Sequence, residues 1–142
     1  MQRRYLSAYT VFIDSGEIVA AFTLMNDELM IGSQTEKEDF IEDLKLETDE
    51  DVADFLNRQS SYPAINIGHL GTSKDYQSMG IGSMIIDLVA DTYAKYRQSG
   101  CQFITVDALN NERTTKFYCE NSFGFQTNHD STSPTRRMYR IL

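Results

Sequence analysis

In the stretch YQSMGIGSMI, residues 76–85, Gly80 and Gly82 stand one residue apart directly ahead of an apolar run with helical spacing. A helix N-terminus presents N–H groups with no intrahelical acceptor and a partial positive charge, and glycine lets an anion reach those amides with no Cβ in the way. Such a site suits a phosphate or pyrophosphate. A turn that needs positive φ would use the same residues, so the glycine pair alone leaves two explanations open. The spacing is not that of a dinucleotide site, because the third glycine of G-x-G-x-x-G would fall at Ile85, and no lysine follows in the P-loop manner. A metal constellation is also missing: His69 and His129 lie far apart, with no cysteine or carboxylate at ligand spacing.

The elements that must position this turn can be read from the pattern on either side. Tyr5 to Ile13 and Glu17 to Met25, joined by Asp14-Ser15-Gly16, make a β-hairpin. After Pro63, Ala64 to Thr72 forms a third strand, in which Gly68 and Gly71 suggest a bulge or a close approach to the backbone. From Ser83 to Gln98 a polar stripe of Asp87, Asp91, Lys95 and Gln98 opposes Ile85, Ile86, Val89, Tyr93 and Tyr96, and Gly100 ends the helix. Gln102 to Ala108 is a buried strand, Asn111 to Asn121 a second helix, and Thr135 to Leu142 a closing strand. Strand, helix, strand at this spacing implies a parallel pair with a right-handed crossover.

A chain of 142 residues with 41% hydrophobic content fits one globular domain. It shows no apolar run of spanning length and no signal peptide, which implies a cytoplasmic protein without a membrane partner. Cys101 and Cys119 are expected to be two buried free thiols. The charge is concentrated. Between Glu36 and Asp54 lie ten acids and two bases, which accounts for the whole formal net charge of −8. This acidic segment, about 35–58, reads as two short amphipathic helices, with Thr35/Glu38 and Thr48/Asp51 as N-cap pairs and with Phe40, Ile41, Leu44, Val52, Phe55 and Leu56 as the apolar faces.

Gln77-Ser-Met-Gly-Ile-Gly82 matches the Q/R-x-x-G-x-G/A signature of the GNAT N-acetyltransferase superfamily, and the preceding Leu70-Gly71-Thr72 matches its L-x-V segment with threonine last. Downstream, VDALNNERTTKFYCENSF resembles the second signature, N-x-x-A-x-x-x-Y-x-x-x-G-F, with Asn111, Thr114, Tyr118, Ser122 and Phe123 at the matching spacings. The resemblance extends from about Tyr5 to Leu142. It implies an α/β (α+β) fold: a mixed, mostly antiparallel sheet, a central parallel strand pair splayed around the cofactor, and helices on both faces.

The resemblance also implies acetyl-CoA as the cofactor. Its pyrophosphate would sit on the amides of Gln77, Ser78, Met79, Gly80, Ile81, Gly82 and Ser83, and its pantetheine along Leu70, Gly71 and Thr72, which would account for Gly68 and Gly71. Asn111 would contact the pantetheine or hold the helix end near it. An acceptor amine would attack the thioester directly in a ternary complex, with Tyr118 as the general acid for the departing thiolate. His69 and Asp107 are the candidates for the base.

Thr114 and Ser122 depart from the family's alanine and glycine; Asn121 could take a left-handed conformation and rescue the turn. The family's usual first strand and helices are expected to be missing ahead of the hairpin, which leaves two explanations: the chain is a fragment, or the acidic segment takes over their role and covers the acceptor side. That would favour a cationic amine acceptor on a small molecule, peptide or protein, with nucleic acid disfavoured by the charge and a homodimer left open. Two alternatives accompany this reading. One is a toxin-like member that acetylates aminoacyl-tRNA, suggested by LGTSKDYQSMGIG and TRRMY; the other is a non-catalytic CoA-binding remnant that needs a partner.

Overall fold

The computed structural model describes residues 6–30, 61–95 and 100–142. The acidic segment at 35–58 and its two expected helices lie outside the described residues.

The hairpin forms as expected. β1 (Ser7–Phe12) pairs antiparallel with β2 (Ile18–Met30) across a turn in which Gly16 takes φ +86° and donates its N–H to the Ile13 carbonyl at 2.8 Å. β2 runs on past Met25 to Met30, because its second half pairs with the start of β3 (Ser61–Thr72), where Leu29 faces Tyr62 and both are fully buried. Pro63 lies inside β3 and not ahead of it; its carbonyl still accepts from the Gln102 N–H at 2.9 Å. Next come a 3-10 turn (Lys74–Tyr76), α1 (Ile81–Lys95), β4 (Phe103–Leu109), α2 (Glu112–Glu120), a two-residue β5 (Gly124–Phe125) that the sequence pattern does not signal, and β6 (Thr135–Ile141).

The six strands form one sheet in the order β1-β2-β3-β4-β6-β5, antiparallel throughout except for β3 and β4. That parallel pair is short. Ala64, Ile65 and Asn66 register with Phe103, Ile104 and Thr105, and then the strands part. β3 continues to Thr72 and β4 to Leu109, so beyond the parting point β3 keeps β2 on one edge and shows unladdered backbone groups on the other. β3 also bulges: Phe22 pairs with Leu70 but Leu24 with Ile67, which leaves one extra residue opposite Thr23.

Strand alternation puts the two core clusters on opposite faces. Ala20, Phe22, Leu24, Ile65, Ile67, Ile104, Val106 and Ala108 pack with Ile85, Ile86 and Val89 of α1 and with Tyr118 of α2. Leu29, Tyr62, Ala64, Phe103 and Tyr139 form the second cluster. Asp87, Asp91 and Lys95 are exposed on α1, as the polar stripe requires. Cys119, expected to be buried, is exposed on the outer side of α2, and Cys101 is half-buried. No helix among the described residues is long and apolar enough to cross a membrane.

Candidate active site

The segment between β3 and α1 is tied down at several points. Ser73 donates its N–H to the Val19 carbonyl at 2.8 Å, Tyr76 donates its hydroxyl to Glu17 at 2.8 Å, and the Gln77 amide donates to the Thr72 carbonyl at 3.3 Å. The bond to Glu17 holds the Tyr76 phenol above its ordinary pKa. Ser78 at φ +63° and Gly80 at φ +81° turn the backbone into α1. The first intrahelical bond runs from the Met84 N–H to the Gly80 carbonyl at 3.0 Å, so α1 starts at Ile81 and not Ser83. The N–H groups of Ile81, Gly82 and Ser83 precede that bond and have no intrahelical acceptor, and the first turn carries no acid to compete for an anion.

The glycines have separate reasons. Gly80 has both properties that the sequence left as alternatives: a positive φ and open space where a Cβ would stand. A Cβ on Gly82 would lie 3.0 Å from Phe117 Cζ, so that glycine answers to helix packing. Gly68 is likewise explained within the chain and not by a ligand, because a Cβ there would meet Thr23 Oγ1 at 2.9 Å. That hydroxyl accepts the His69 N–H at 2.9 Å across the bulge. Gly71 has open space around it.

A groove of about 460 Å³ opens beside this helix end. Leu70, Thr72, Gln77, Ser78, Gly80, Ile81, Gly82 and Ser83 line one side, and Tyr118 lines it from α2. Gly71, Met79, Asn111, His69 and Asp107 do not line it. Four lining residues lacked a role in the sequence reading: Tyr76, Arg113, Thr114 and Phe117. Arg113 was legible as a cation one turn from a helix start, but its place beside α1 depends on the crossover. Among the described residues it makes no ion pair.

Tyr118 is held from both ends of α2. Asn111 is the N-cap, its side chain accepting the Thr114 N–H at 2.8 Å, so of the two roles expected for it the structure displays the helix-end one. At the other end Ser122 donates its N–H to the Cys119 carbonyl at 3.2 Å and Phe123 to the Tyr118 carbonyl at 3.0 Å, a Schellman motif. The left-handed residue is Ser122 itself, at φ +69°, whereas Asn121 stays at φ −100°. The expected rescue by Asn121 therefore does not occur; its amide instead donates to the Phe117 carbonyl at 2.8 Å. The Tyr118 ring meets Phe117 and Phe123 edge-on at 5.1 and 5.3 Å between centroids. Burial raises the Tyr118 pKa above 10.0, which keeps the phenol protonated at neutral pH.

His69 and Asp107 both stand exposed outside the groove. Asp107 faces Arg137, whose Nη1 lies 3.3 Å from each of its oxygens. Arg137 also binds Asp27, which accepts the Thr105 hydroxyl at 2.6 Å, and Thr105 in turn accepts from buried Asn66 at 3.1 Å. Desolvation pushes the Asp27 pKa up, but the bonds from Thr105, the Glu28 backbone and Arg137 outweigh it and leave the carboxyl below its ordinary value. The network sits where β3 and β4 part, since Asn66 and Thr105 are the last registered pair.

A sheet that parts beside an anion-ready helix end can hold an extended ligand with a phosphate in its middle. Residues 5–125 match the acetyltransferase (GNAT) family, and the chain belongs to it. Members of that family are acyl-CoA-dependent N-acetyltransferases with acetyl-CoA as donor. None of the curated proteins is a significant sequence match. Several solved structures share the fold. A bacterial toxin superposes with a TM-score of 0.61 at 14% identity, covering 89% of this chain and 62% of its own. A tyrosine-to-phenylalanine mutant of KacT gives 0.65 at 17%, covering 96% and 71%. AtaT complexed with acetyl-methionyl-tRNAfMet gives 0.63 at 14%, covering 94% and 70%. The chain thus spans 62% to 71% of the length of these structures.

Proposed function

We propose that the chain is an N-acetyltransferase that moves the acetyl group of acetyl-CoA onto a primary amine by direct attack. The observation that supports this most is the continuity of one groove from the open amides of α1 to the buried Tyr118 phenol. The residues fit the donor. Three amides without intrahelical acceptors and the open space at Gly80 suit a pyrophosphate, and the unladdered edge of β3 at Leu70, Gly71 and Thr72 suits the amide-bearing pantetheine arm. The thioester supplies an activated acyl carbon. Tyr118 would give its phenol proton to the leaving sulfur while the amine nitrogen, losing a proton to a base, bonded to that carbon in place of sulfur, and solvent would reprotonate the phenolate. His69 and Asp107 remain the base candidates, acting through water, since neither lines the groove.

A second reading concerns the acceptor: the α-amine of an aminoacyl-tRNA. Its support is the toxin structures that share the fold, above all AtaT with acetyl-methionyl-tRNAfMet. The three arginines of β6 do not add to it, because Arg136 pairs with Asp130, Arg137 with Asp27 and Asp107, and Arg140 with Asp87. The acidic segment instead supports a cationic amine, through an attraction that salt weakens.

Ser83→Glu tests the donor site, because a first-turn glutamate suits a helix start yet opposes a pyrophosphate. The expected result is a folded protein without CoA affinity; unchanged affinity overturns the site. Tyr118→Phe should keep CoA binding and lower turnover about 10²- to 10⁴-fold. Thiol release with free amines, lysine peptides and charged tRNA at two salt concentrations identifies the acceptor. Binding without turnover on any of them would make the chain a CoA-binding remnant.

A further inference from the structure

The groove has two ends, one on α1 and one on α2, and one side chain connects them. Phe117 lies against Gly82 so closely that a Cβ on Gly82 would be 3.0 Å from its Cζ and 3.4 Å from its Cε2. The same ring meets the Tyr118 ring at 5.1 Å with an interplanar angle of 67°. Tyr118 also packs edge-on against Phe123, 4% exposed and fixed by the Schellman bonds, at 5.3 Å between centroids. The order is therefore Gly82, Phe117, Tyr118, Phe123, running from the first turn of α1 to the end of α2.

We infer that Gly82 and Phe117 are positioning residues for Tyr118, setting the placement of its phenol relative to the amides of α1. This rests on the reading of Tyr118 as the general acid. A methyl group at Gly82 forces Phe117 to give by a few tenths of an ångström, since contacts that short are tighter than nearly all real ones. Because the Phe117 ring touches the Tyr118 ring, a displaced Phe117 disturbs the packing that places the proton donor. The Gly82 N–H, which faces the ligand end of the helix, is unchanged by the substitution. Gly80 differs on this point: the space around it is open, so its substitution reports on backbone strain and not on Phe117.

The test is a double-mutant cycle with CoA affinity and kcat measured separately. Gly82→Ala should lower kcat at saturating CoA about 3- to 30-fold, given that misplacement by 1 Å costs on the order of 10²-fold, over and above any loss of CoA affinity from the new methyl beside the amides. Phe117→Leu added to Gly82→Ala should cost less than the two single losses multiplied together, because the ring that the methyl displaces is already gone. In a Tyr118→Phe background Gly82→Ala should have little further effect, because the donor whose position it disturbs is gone. Equal losses in both backgrounds overturn the positioning role while leaving Tyr118 as the acid. A wild-type rate for Tyr118→Phe overturns the acid assignment and this inference with it. If Gly82→Ala fails to fold, Phe117→Leu alone serves: its kcat should fall in the wild type and not in Tyr118→Phe, and an equal fall in both overturns the role.

Discussion

Ser122 occupies the position after α2 where a left-handed backbone is required, and its φ of +69° places an L side chain there. For an L-residue that conformation costs roughly 1–2 kcal/mol. Replacing it by glycine removes the cost but adds about 0.5–1 kcal/mol of chain entropy to the unfolded state. Ser122 is exposed, and both Schellman bonds are made by backbone groups, so the substitution removes no contact. Ser122→Gly should therefore stabilise by about 0.5–1 kcal/mol, a rise in Tm of roughly 1–4 °C for a chain of this size. Urea unfolding of ligand-free protein should show a higher midpoint with an unchanged slope. Asn121→Gly is the control. Asn121 has φ −100° and donates its amide to Phe117 at 2.8 Å, so its loss should destabilise by about 1 kcal/mol. If Asn121→Gly stabilises while Ser122→Gly does not, the left-handed residue has been misassigned.

Gly68→Ala should destabilise by about 1–3 kcal/mol, because the methyl meets Thr23 Oγ1 at 2.9 Å, and adding Thr23→Ala should recover part of the loss, measurable as non-additivity in chemical unfolding. Arg113→Gln should weaken CoA binding about 3- to 10-fold and flatten its salt dependence, read by calorimetry at two ionic strengths; full affinity for CoA would show that the cation faces no phosphate. Asp27 has a folded pKa below its ordinary 3.8, so the stability it contributes is present above that value and is lost as pH falls through the lower folded value. Asp27→Asn should flatten that acid limb. If Tyr118 is the general acid it must stay protonated, and burial raises its pKa, so a pH–rate profile should show no loss of kcat from this group at neutral pH and a loss only further into alkali than for an ordinary tyrosine.

The sequence by itself determined the order of elements and the two ends of the groove. Hairpin, third strand, helix, strand, helix and closing strand follow from local periodicity and turn residues, which act over a few positions of chain. The G-x-G turn and Tyr118 were legible for the same reason: each belongs to a short segment with its own spacing. Tertiary structure decided which role a residue plays when two were open. Gly68 and Gly82 look alike as candidates for ligand approach, yet one makes room for Thr23 and the other for Phe117, contacts across 45 and 35 positions of chain that no local pattern encodes. Asp107, a base candidate by its place on a strand expected to splay around the cofactor, is engaged by Arg137 from β6, and Arg113 joins the groove only because the fold sets α2 beside α1. Where β3 and β4 part is also a tertiary matter. Each strand is continuous in sequence, and the opening arises because β2 and β6 hold their outer edges while only three residue pairs hold the strands to each other.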